Sequence, residues 1–145
     1  MKINYQLIDD YATDEIGIHM HPKNHELIST IEKNLETKYL EVIDPKNSRQ
    51  SKLRIEDVLV IEAMDNLSKL YTTDKDVFYL KGRLKDLEYL IKYGILRISN
   101  SVMINLDKIV SFKNGKYARL EVYTDNGECF VVNRHFAKKI REYLR

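Results

Sequence analysis

At 145 residues the chain can hold one domain with a real hydrophobic core, or a compact domain carrying a small attachment, and it is too short for two full domains. Hydrophobic residues at 43% and charged residues at 32% exclude a disordered chain. No apolar run approaches the roughly 18 residues of a membrane helix, and the N-terminal stretch MKINYQLIDDYATDEIGIHM lacks the apolar segment of a secretion signal, so a cytoplasmic protein is expected. The net charge of +2 conceals an asymmetry. Residues 1–80 carry 10 Lys/Arg against 15 Asp/Glu, and residues 81–145 carry 14 against 7, so the halves stand at −5 and +7. A split of this kind points the C-terminal half toward a polyanion.

In chain order, Lys2 to Ile8 alternates through Ile3, Tyr5 and Leu7, and Glu15 to Met20 through Ile16, Ile18 and Met20, which predicts two half-buried strands. Asn24 to Leu35 places Leu27, Ile28, Ile31 and Leu35 on one helical face, with Glu32, Lys33 and Glu36 opposite. A strand is expected at Tyr39 to Ile43. The polar stretch Asp44 to Ser51, with Pro45, is the candidate boundary, giving a small α/β extension over residues 1–45 and a main domain over 46–145. Beyond it, short strands are predicted at Lys52–Arg54, Val58–Ala63, Leu67–Thr72 and Val77–Leu80. The unbroken apolar run Val58-Leu59-Val60-Ile61 marks a central strand covered on both faces. A helix from Gly82 to Tyr93 would bury Leu84, Leu87, Leu90 and Ile91 and end on Gly94.

Two dipeptides, Asn114-Gly115 and Asn126-Gly127, carry the type I′ hairpin signal and predict three antiparallel strands near Lys108–Phe112, Tyr117–Tyr123 and Glu128–Val132. Ala118, Leu120 and Val122 would share the packed face. The lone cysteine, Cys129, begins an apolar run and is expected to be buried and inert. A final basic helix from Phe136 would pack Phe136, Ile140, Tyr143 and Leu144, leaving Lys138, Lys139, Arg141 and Arg145 outward.

The catalytic vocabulary is thin: there is no phosphate-cradling glycine loop, no paired cysteines, no HExxH and no GxSxG. The group His19-Met20-His21 with His25 has no carboxylate partner to complete a metal shell and reads as surface histidines, so no metal, cofactor or small-molecule substrate is expected. No enzymatic activity is expected either. Nucleic-acid binding is better served, because two polar clusters lie in the basic half: Arg97-Ile98-Ser99-Asn100-Ser101 and Asn133-Arg134-His135. Asn can pair with adenine and Arg with guanine in the major groove when loops present them. No helix-turn-helix is visible.

The stretch Leu96-Arg97-Ile98-Ser99-Asn100-Ser101-Val102-Met103-Ile104-Asn105-Leu106-Asp107-Lys108-Ile109 resembles the bacterial LytTR family of DNA-binding domains. Ile55 to Ala63 is similar to that family's opening strand, Leu84 to Glu88 to its short helix, and Phe130 to Ile140 to its final strand and loop. The resemblance covers about residues 50–145. It implies a mainly β domain of stacked antiparallel sheets with short helices, α+β overall, preceded here by a ββα extension. It also implies a sequence-specific transcription regulator that reads duplex DNA through three interstrand loops. Asn100, Arg134 and Ser68 are then the base-contacting candidates, Ser68 standing where some members carry a base-reading histidine. Ser101, Lys69, His135, Lys138 and Lys139 are the backbone-contacting candidates. Family members with short N-terminal segments look like stand-alone regulators, with a homodimer and a restraining membrane protein as further partners. The alternative is a protein-interaction module of a signalling system that does not touch DNA.

Overall fold

The computed structural model describes residues 1–35 and 38–144. Glu36 and Arg145, both expected on polar helix faces, lie outside the described residues. The chain divides into two units, Met1–Glu36 and Thr37–Arg145.

In the first unit, a short 3₁₀ turn at Pro22–Asn24 is followed by helix α1, Leu27–Leu35. His21 caps the turn, its Nδ1 accepting the Lys23 N–H at 3.1 Å. The two strands expected before α1 are absent: residues 1–21 form no ladder. Alternation alone cannot make a strand, because an extended backbone needs a neighbour to take its hydrogen bonds. Ile3, Tyr5 and Leu7 are accordingly 66%, 84% and 100% exposed.

Among the described residues the second unit carries ten strands. Seven form one antiparallel sheet in the order β2-β1-β5-β4-β3-β7-β6. They are β1 Tyr39–Ile43, β2 Gln50–Arg54, β3 Val58–Met64, β4 Leu67–Thr72, β5 Val77–Lys81, β6 Ile95–Arg97 and β7 Val102–Asn105. Strand β1, assigned from sequence to the extension, is paired in register with β2 from Tyr39↔Arg54 to Ile43↔Gln50 and belongs to the second unit. The second sheet, β10-β9-β8, comprises β8 Ile109–Asn114, β9 Leu120–Thr124 and β10 Cys129–Val132. Helix α2, Arg134–Leu144, closes the chain.

Between β5 and β6 the expected helix forms as a 3₁₀ helix, Leu84–Tyr93. Its apolar residues Leu84, Leu87 and Leu90 recur every three positions, the spacing that eclipses on a threefold helix, and all three are buried. Gly94 ends it with φ +80, donating its N–H to the Ile91 carbonyl.

Alternation along β6 and β7 joins two cores. Ile95 and Met103 pack with Ile61, Leu70 and the three leucines of the 3₁₀ helix, whereas Leu96, Ile98 and Ile104 pack with Leu120, Val122, Val132 and the α2 residues Ala137 and Ile140. This edge of the large sheet is therefore sandwiched between the 3₁₀ helix and the second sheet. Central β3 is buried from Val58 through Ile61, as its unbroken apolar run requires. Asn105 is buried inside this framework. Its Nδ2 donates to the Val58 carbonyl at 2.9 Å and the Ile55 carbonyl at 3.4 Å, and its Oδ1 accepts the Asp107 N–H at 3.1 Å.

Several local expectations change. The Asn126-Gly127 pair turns the chain, though not as a two-residue type I′ turn: the loop spans Asp125 to Gly127, closed by the Thr124 N–H donating to the Glu128 carbonyl, and of its residues only Gly127, at φ +83, takes positive φ. The Asn114-Gly115 pair does not make a two-residue turn: Asn114 pairs with Leu120, Gly115 has φ −96, and the chain turns instead at Tyr117 and Ala118, both at positive φ. Ala118 thus sits in a loop and not on the packed face. Cys129 is exposed, because β10 is an edge strand whose only buried residue is Val132. Tyr143 is likewise 51% exposed.

Candidate nucleic-acid interface

Strand direction gathers the polar loops at one edge of the large sheet. Strands β3 and β4 turn at Asp65-Asn66, with Met64 paired to Leu67 and Asp65 at φ +53. Since β7 is antiparallel to β3, with Glu62 opposite Val102, the β6–β7 loop stands beside that turn, and Ala63 N–H donates to the Ser101 carbonyl at 2.8 Å. Strand β5 ends there too, with Lys81 opposite Leu67. The junction between β10 and α2 is tied to the same edge by the Asn133 N–H, which donates to the Ile98 carbonyl at 2.8 Å. Three loops distant in sequence are thereby held by main-chain bonds.

The β6–β7 loop is built to present Asn100. Ile98 N–H donates to the Val102 carbonyl at 2.9 Å, closing the loop, and the Ser99 hydroxyl accepts the Ser101 N–H at 3.3 Å. Asn100 and Ser101 stand exposed on that frame. Among the described residues the Asn100 amide makes no hydrogen bond, so both halves of it are available. Arg97, earlier in the same cluster, is held back, with its Nη1 3.7 Å from Glu88 Oε1.

Helix α2 begins at Arg134. The Asn133 carbonyl accepts the N–H groups of Phe136 and Ala137 at 2.9 and 3.0 Å, fixing the first turn. Arg134 and His135 are exposed, with the His135 ring edge-on to Phe136 at 5.0 Å. The positive end of the helix dipole faces the same way, which favours an anion at this terminus. With Ala137 and Ile140 buried, Lys138 and Lys139 lie on the solvent side, and Arg134, Lys138 and Arg141 follow one another along one flank at helical spacing.

Two expected site residues are not brought to this edge. Ser68 is completely buried, and its hydroxyl donates to the Gly82 carbonyl at 2.8 Å, so the side chain is committed to holding the start of the 3₁₀ helix and cannot meet a base. Lys69 lies on the sheet face, with Nζ 5.3 Å from the centre of the Tyr71 ring, turned along the strand away from the Asp65-Asn66 turn. The Tyr71 hydroxyl beside it holds its ammonium above the ordinary lysine range, with Tyr79 and Glu62 adding to the effect. In this first loop Asp65 and Asn66 are exposed, and Arg83, just beyond β5, reaches across to it, its Nη2 donating to Asn66 Oδ1 at 2.7 Å. The signal for this was available: in β4, Ser68 and Leu70 share a face by the period of two, and Leu70 is core.

Among the described residues no helix is long and apolar enough to cross a membrane. The family model that matches the sequence is the LytTr DNA-binding domain, over residues 48–145. No curated protein matches. Among solved structures, the chain is similar to the LytTr DNA-binding domain of a Bacillus cereus protein, at a TM-score of 0.63 and 20% identity, over 75% of this chain and 98% of that one. That likeness supports the fold of stacked antiparallel sheets with short helices, and the match over residues 48–145 supports the family: the chain belongs to the LytTR family of DNA-binding domains.

Proposed function

We propose that this chain is a transcription regulator that binds duplex DNA sequence-specifically through the loop edge of its large sheet. The observation that carries the reading is the main-chain bond from Asn133 to Ile98, because it fixes the Asn100 loop and the Arg134 loop relative to each other. Base readout needs that rigidity: a side chain discriminates bases only if its position along the groove is set by something other than the base. Asn100 and Arg134 read base edges, with Asn66 taking the first-loop role in place of the buried Ser68. Ser101, His135, Lys138 and Lys139 meet backbone phosphates, assisted by the N-terminus of α2.

Selection of bound duplexes from a random pool tests the proposal. A convergent motif is expected, with an affinity that falls steeply as salt is raised. Recovery of random sequences would reduce the protein to a general polyanion binder. Absence of duplex binding at low salt, together with a co-purifying protein, would favour the interaction-module alternative.

A further inference from the structure

We infer that the β8–β9 loop, Gly115 to Arg119, is an additional contact to the DNA backbone, beside the Arg134 loop; the inference rests on the function proposed above. Register places it there. Asn114 pairs with Leu120 and Leu120 with Val132, so the loop emerges at the end of the second sheet from which α2 also starts. The two are joined, since Arg141 Nε on α2 donates to Asn114 Oδ1 at 3.2 Å. The basic flank of Arg134, Lys138 and Arg141 is thereby continued by Lys116 and Arg119, both exposed and neither in an ion pair among the described residues.

The backbone of this loop is unusual. Tyr117 and Ala118 both occupy the left-handed region, at φ 58 and φ 60, where a side chain crowds its own carbonyl and glycine is the ordinary occupant. The strand-end bond from Gly115 N–H to the Arg119 carbonyl at 2.9 Å and the Arg119 N–H bond to the Lys116 carbonyl at 3.2 Å hold that shape. Its product is to lift Tyr117, 82% exposed and without a ring partner, between two cations. Strain kept at an exposed, positively charged tip is what a binding loop shows, whereas a mere connection would place glycine at these positions. The chemistry fits phosphate: Lys116 supplies a point charge, Arg119 a planar donor fork, and Tyr117 a hydroxyl donor with a flat ring for the sugar.

The test uses the full-length Lys116→Ala/Arg119→Ala double variant and a duplex selected with the parent protein. Because the double variant neutralises two fewer phosphates, the slope of log affinity against log salt should become shallower by about 1.8, so that the drop in affinity between 50 and 200 mM salt is about twelvefold smaller than for the parent. The preferred base sequence should stay the same. Lys75→Ala, in the turn between β4 and β5 at the opposite end of the sheet, should leave the slope unchanged. A parent that binds its duplex steeply while the double variant keeps the parental slope would overturn the inference and leave the proposed function standing. A slope shallower by about 0.9 in Lys75→Ala, half the change for half the charge removed, would overturn it as well, since the effect would then be one of total charge. A parent that binds no duplex would remove both.

Discussion

Ser68→Ala separates a base-reading role from a structural one. As a base reader, Ser68 would be exposed and its loss would weaken binding to one sequence while leaving the fold alone. In the structure it is buried, and its hydroxyl satisfies the Gly82 carbonyl at 2.8 Å, just before the 3₁₀ helix that supplies Leu84, Leu87 and Leu90 to the first core. Alanine removes the donor and leaves that carbonyl without its partner, a loss of about 1–3 kcal/mol. A domain of this size loses about 3–4 °C in melting midpoint per kcal/mol. Urea denaturation should therefore show a lower midpoint with an unchanged slope, and anisotropy measured well below the melting temperature should show the parental preference for the selected duplex over a scrambled one. An unchanged midpoint combined with a lost preference would refute the reasoning and return Ser68 to the reading surface.

Three further outcomes are expected. Arg134→Ala should cost about 1–3 kcal/mol on the selected duplex and relax the preference at one position, whereas Lys138→Ala should weaken selected and random duplexes alike, as competition titrations would show. Asn105→Ala strands the buried Val58 carbonyl, so it should destabilise the fold by about 1–3 kcal/mol in urea. The Lys69 ammonium, held up by Tyr71, should remain charged as pH rises through the ordinary lysine value and lose its favourable contact only above it. Side-chain NMR titration should find that pKa falling back toward the ordinary value in Tyr71→Phe, with no change in this contact anywhere between about pH 6 and 9.

Legibility followed the physics of each segment. Strand β4 was read with its observed bounds, and β3 nearly so, because burial on one face or on both leaves a periodic or unbroken apolar pattern in the residues themselves. Asn126-Gly127 turned the chain, but in a three-residue loop with positive φ at Gly127 alone. Asn114-Gly115 did not, because the register that buries Leu120 against Val132 leaves a longer span to cross, and Tyr117 and Ala118 took the positive φ angles instead. Cys129 misled because an apolar run is a buried strand only when a sheet covers both faces, and β10 lies at an edge. Residues 2–8 misled for a related reason: alternation advertises a strand but does not supply its partner.

Of the interface, the residue sequence determined the chemistry on offer. Asn100 and Arg134 sit in polar clusters between strands, the basic residues concentrate after residue 80, and the motif from Leu96 to Ile109 marks the family. Tertiary structure decided which of those residues share a surface. Only pairing could show that Ser101 lies against Ala63 and Asn133 against Ile98, that the Ser68 hydroxyl meets the Gly82 carbonyl, and that Arg141 ties α2 to the β8–β9 loop. Local pattern reports a residue's own periodicity, and these adjacencies depend on strand order and register, which bring together segments tens of residues apart.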